Sequence, residues 1–120
     1  EKVDQLNVVS TTSSLLSEIL DREFEALEAK NFEDVEELQN AKFSLMQDLQ
    51  SGWDLIKQED NPDQQLIDEL TQRLGICKEQ HLRNSLLLNK QAEITRNLLN
   101  AITQKTSANA SVYDKLGKMT

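Results

Sequence analysis

Residues 31–58, NFEDVEELQNAKFSLMQDLQSGWDLIKQ, decide the fold. Val35, Leu38, Lys42, Leu45, Leu49 and Ile56 follow one another at steps of three, four, three, four and seven, which is a heptad seam on a helix. Phe43, Met46, Trp53 and Leu55 widen the seam. Asn31 suits an N-cap, and Glu33 and Asp34 sit in the first turn, where the helix dipole favours anions. The spacing predicts a helix ending near Gln58. The lone charge on the seam, Lys42, either snorkels or pairs with an acid from the preceding helix.

Upstream, Leu16, Leu20, Phe24 and Leu27 recur at helical spacing, flanked by Leu15 and Ile19. They predict a helix from about Val3 to Ala29. The polar run Ser10–Ser14 lies inside it, or alternatively caps a shorter helix starting near Ser14. Lys30 and Asn31 then form a tight corner. Downstream, Glu59–Asp63 form a turn, with Asn61 read as N-cap and Pro62 as the first helical residue. A third face follows: Leu66, Leu70, Leu74, Cys77, His81, Asn84, Leu88, Thr95, Leu98 and Ile102. Gly75 would allow a bend in it. The pattern fades near Lys105.

The fold class is therefore all-α: an antiparallel bundle of three long helices over residues 1–105, then a flexible tail over 106–120. Composition agrees. Of 120 residues only 3 are glycine and 1 is proline, too few for the turns of a sandwich or barrel. The net charge of −8 disfavours a phosphate-lined partner, so no nucleic acid is expected. Residues 1–60 carry 15 acidic and 5 basic side chains, while 61–120 carry 6 and 8. The second half should thus lie along the first. One cysteine excludes an internal disulfide. No apolar run approaches ~18 residues, so no membrane insertion is expected. With no basic segment leading an apolar one, the sequence has no visible secretion signal, and a cytoplasmic location is expected.

Lengths carry a further expectation. A third helix of roughly 43 residues, ~65 Å, exceeds a second helix of ~40 Å. Laid back along the second, it would overshoot the hairpin from about residue 90, yet Ile94, Leu98, Leu99 and Ile102 still form an apolar stripe there. Such a stripe points to a docking partner; bending of the helix or a homodimer are the alternatives.

Catalysis finds little support. No Gly-rich phosphate loop is present, and Cys77 and His81 make a lone i, i+4 pair, half of a zinc site at most. No enzyme activity, cofactor or metal is expected. Two further readings stay open. A histidine phosphotransfer bundle would use His81, but Asn84 and Ser85 stand where such domains carry lysine and glycine, and His81 falls on the seam. A structural coiled-coil adaptor is the other. Tyr113 has no obvious core to join and reads as a stray aromatic or a docking anchor.

Three strings together resemble the FlgN family of flagellar type III export chaperones. They are Lys42–Phe43–Ser44–Leu45–Met46, Asn84–Ser85–Leu86–Leu87–Leu88 and Tyr113–Asp114–Lys115–Leu116–Gly117. They are similar, in order, to the family's lysine followed by two apolar residues, its Asn-x-x-Leu-Leu element and its Tyr-x-x-x-Gly element. His81 departs from the pattern, where the family often has a second asparagine. The resemblance implies a cytoplasmic helical chaperone, without ATP hydrolysis, for the C-terminal helical segments of hook-associated proteins. It implies substrate binding by Ile94, Leu98, Leu99 and Ile102. It implies docking on the cytoplasmic domain of the export gate through Tyr113 and Gly117, and structural roles for Lys42, Asn84, Leu87 and Leu88.

Overall fold

A computed structural model describes the backbone of residues 2–109 and the side-chain surroundings of residues 5–104. The chain is all-α: α1 is Lys2–Glu28, α2 is Phe32–Lys57 and α3 is Gln64–Asn109. It divides into two compact units, Glu1–Leu86 and Leu87–Thr120.

Each helix of the first unit buries a heptad seam. On α1 the seam is Leu6, Val9, Ser13, Leu16, Leu20, Glu23 and Leu27, at steps of three and four, with Thr12 and Ala26 also buried beside it. The Ser/Thr run lies within α1, with Ser13 Oγ donating to Ser10 O at 2.8 Å, so the longer of the two expected helices forms. Glu23, not the expected Phe24, occupies the seam. On α2, Val35, Lys42, Leu49, Gly52 and Ile56 are buried, and Leu45 packs against the core. Gly52 fills the step of seven between Leu49 and Ile56. A Cβ there would sit 2.7 Å from Val9 Cγ2, so the missing side chain is what lets α1 and α2 approach at that level. On α3 the buried residues of this unit are Leu70, Cys77 and Asn84, with Ile67 and Leu74 packed against the core.

The hairpin corner is a Schellman cap. Lys30 adopts φ 59°, Lys30 N donates to Leu27 O and Asn31 N donates to Ala26 O at 2.9 Å. Asn31 caps α2 as expected: its Oδ1 accepts from Asp34 N at 3.3 Å, and its Nδ2 donates to Asp34 Oδ2 at 2.8 Å. α2 ends at Lys57, with Gln58 as C-cap. The start of α3 corrects the expectation. Asp63 is the N-cap, its Oδ1 accepting from Gln65 N and Leu66 N at 3.1 and 3.3 Å. Asn61 instead takes a left-handed φ of 57°, a conformation its short amide tolerates. α3 passes through Gly75 as unbroken helix and continues beyond Lys105 to Asn109.

α1 and α2 run antiparallel, and α3 returns parallel to α1 in one constant register. Arg73 Nη1 donates to Ser10 Oγ at 2.8 Å, Cys77 Sγ to Ser13 O at 3.5 Å, Gln80 Nε2 to Ser17 O at 3.3 Å and Asn84 Nδ2 to Leu20 O at 2.7 Å. The offset is 63 or 64 residues each time. Parallel helices of equal pitch hold such a register only if both seams keep the same heptad phase, and both do. Within the first unit, Arg83 of α3 pairs with Asp21 of α1 at 3.3 Å.

Candidate functional site

A buried charged layer in the first unit is built from a residue of each helix. Lys42 Nζ of α2 lies 2.9 Å from Glu23 Oε2 and 3.2 Å from Oε1 of α1. Asn84 Nδ2 of α3 donates to the same Glu23 Oε1 at 2.8 Å and to Leu20 O at 2.7 Å. All three residues are 4% exposed or less. Removing two charges from water costs several kcal/mol each, offset here by a two-oxygen ion pair and a saturated amide. The layer therefore specifies which residues face which more than it adds stability. Any slip of α3 by one residue would pull the Asn84 amide away from Glu23 Oε1 and Leu20 O, while the Lys42–Glu23 pair between α1 and α2 stayed in place.

Around this layer the outer wall is also polar. Arg83 Nε donates to Asn84 Oδ1 at 3.0 Å and its guanidinium lies over the Phe24 ring at 4.0 Å. This gives Phe24 a place on the flank of the seam. His81 is half-buried, and its Nδ1 is buried with no hydrogen-bond partner among the described residues. Burial lowers its pKa below the usual 6.5; Lys42 lowers it further, and Glu23 opposes them. Burial thus favours the neutral imidazole at His81. Cys77 is buried and its thiol pKa is raised by desolvation, the reverse of a reactive thiolate. Among the described residues no group of three or more His, Cys, Asp or Glu is placed to hold a metal ion. No helix among them is long and apolar enough to cross a membrane.

Large apolar side chains are exposed in both units, Ile76, Leu82 and Leu86 among them in the first. Leu87 and Leu88 are half-buried, whereas Ile94, Leu98, Leu99 and Ile102 are each 55–62% exposed. The four form one helical stripe at steps of four, one and three. Within nine residues two leucines and two isoleucines share one exposed face, whereas apolar residues exposed singly need no explanation.

The anticipated residues thus fall into three groups. Lys42 and Asn84, far apart in sequence, meet on Glu23. Ile94, Leu98, Leu99 and Ile102 share one exposed face. Tyr113 and Gly117 lie outside the described residues. Sequence reading missed Glu23, although its spacing from Leu16, Leu20 and Leu27 places it on a heptad seam, and it missed Gly52, which the step of seven marks. Of the two outcomes expected for Lys42, snorkelling or pairing with an acid of α1, the second holds, and Glu23 is the acid. No family model matches the chain, and no curated protein or solved structure matches it either.

Proposed function

We propose that the chain is an export chaperone of the FlgN kind, binding an amphipathic helical segment of a hook-associated protein and handing it to the export gate. One observation carries the reading: the exposed stripe Ile94, Leu98, Leu99 and Ile102 on a helix that continues to Asn109. The residues of the resemblance are compatible with it, since Lys42 and Asn84 join in the buried charged layer on Glu23. No covalent chemistry is required. A helix laid on the stripe and burying ~500 Å² of apolar surface would contribute on the order of 12 kcal/mol. Association costs of ~4–15 kcal/mol leave a reversible complex, as a hand-off needs. The charge of −8 favours solubility of the empty chaperone. His81 gives phosphotransfer little support, because its ring is packed on the seam and one nitrogen is shut from water.

The test is a pull-down of purified hook-associated proteins with wild type and with Leu98→Asp plus Ile102→Asp. The double variant is expected to lose capture while keeping wild-type helicity, since both side chains are exposed. Normal capture by the folded double variant would reject the assigned surface. Tyr113→Ala is expected to spare capture and weaken binding to the export-gate cytoplasmic domain. Stable self-association that buries residues 94–102 and excludes those proteins would favour the structural adaptor.

A further inference from the structure

The flanks of the stripe carry charge of one sign. At about 100° per residue, Ile94, Leu98, Ile102 and Leu99 occupy an arc of roughly 140° on α3. Lys90 stands about 40° outside one edge, beside Ile94, and Arg96 about 60° outside the other, beyond Leu99. Glu93 falls on the opposite side of the helix. Lys90, Glu93 and Arg96 are all exposed. The sequence repeats the bias on a larger scale: residues 87–120 hold 5 basic and 2 acidic side chains, while residues 1–86 hold 8 and 19.

We infer that the occupant of this face is an amphipathic helix whose apolar stripe is bordered by carboxylates. The inference rests on the docking role proposed above and specifies the partner's chemistry. The stripe runs straight along a helix at three- and four-residue steps, which a second helix matches by ridges into grooves. Apolar contact supplies affinity, and Lys90 and Arg96, one on each side, reward acid on both flanks of the incoming helix. A second copy of this chain is disfavoured, because its own stripe is flanked by Lys90 and Arg96, with Glu93 on the far side, and so brings an acid to neither flank. An anionic bilayer is disfavoured too. The stripe has no aromatic anchor, and the chain carries −8 overall, which a negative surface repels.

The chain's overall charge makes the test sharp. Non-specific electrostatics would draw a basic peptide, so a preference for an acidic one reports the local frame. Two synthetic peptides of about 20 residues share one leucine stripe on a helix and differ only in flanking residues, all Glu or all Lys. Their binding to the full chain is followed by fluorescence anisotropy. The Glu peptide is expected to bind about tenfold more tightly at low salt, with most of that advantage lost near 0.5 M salt. Lys90→Glu plus Arg96→Glu should reverse the order, and Leu98→Asp plus Ile102→Asp should abolish both complexes.

Equal affinities, or tighter binding of the Lys peptide, overturn the inference, as does charge reversal without effect. So does capture by phosphatidylglycerol vesicles in preference to either peptide, or a homodimer that peptides cannot displace. Equal affinities that still depend on Leu98 and Ile102 would leave the docking face standing and remove only its charge preference. Failure of both peptides and of the hook-associated proteins would remove the docking face itself.

Discussion

Replacing Lys42 by methionine isolates the energetics of the polar layer. The ammonium lies 2.9 Å from Glu23 Oε2 and the pair is nearly sealed from water, with side-chain exposures of 5% and 1%. Methionine roughly refills the volume of the lysine stem, so the cavity contribution is small. What remains is a buried carboxylate whose one other partner in the layer is Asn84 Nδ2 at 2.8 Å. Breaking such a pair from one side costs ~3–5 kcal/mol, against a total stability of ~5–15 kcal/mol for a domain. Glu23→Leu alone should cost a similar amount, by stranding the ammonium. Made together, the two substitutions remove both charges, and Asn84 keeps Leu20 O at 2.7 Å. The double variant should then fall within about 1 kcal/mol of wild type. Urea unfolding followed by far-ultraviolet circular dichroism measures all four proteins. A Lys42→Met cost below ~1 kcal/mol, or a double variant as unstable as the two singles summed, would refute this account of the layer.

Other perturbations separate local from tertiary effects. Gly52→Ala should destabilise by ~1–2 kcal/mol, since the new methyl meets Val9 Cγ2 at 2.7 Å and the β-branched Val9 is stiff, outweighing the gain in helix propensity. Gly75→Ala, with nothing within 4 Å, should stabilise by ~1 kcal/mol; the same urea titrations compare the two, and like signs would contradict the close approach. Lys30→Gly should add ~1 kcal/mol by relieving a left-handed lysine at the corner, read as a higher urea midpoint. His81 has a folded pKa below its unfolded 6.5, so the neutral form favours folding. Stability should be full above about pH 6.5 and decline as pH falls through that value toward the lower folded pKa. Melting temperatures taken between pH 7.5 and 5.5, with His81→Gln showing a flatter profile, would check it, using about two units centred on the histidine range.

The sequence alone determined the three helices, the Asn31 cap, the end of α2 and the seam positions where leucine and valine dominate. These follow from local rules: a three-four repeat of apolar residues has one buried face whatever it packs against, and capping chemistry acts within one turn. It also placed Ile94, Leu98, Leu99 and Ile102 on a common stripe, because spacing along a single helix is enough for that. Other outcomes depended on neighbours. Glu23 and Phe24 each continue the α1 pattern, and it was the arrival of Lys42 and Asn84 from other helices that turned the acid inward and left the ring beneath Arg83. Asn61 lost the cap to Asp63 because the turn needed a residue able to adopt positive φ. Gly52 looks like a helix weakener until Val9 is seen against it. Periodicity says which side of a helix is inside, whereas the identity of the atoms waiting there belongs to the tertiary structure, since burying a charge is tolerable only where its partner arrives within hydrogen-bonding distance.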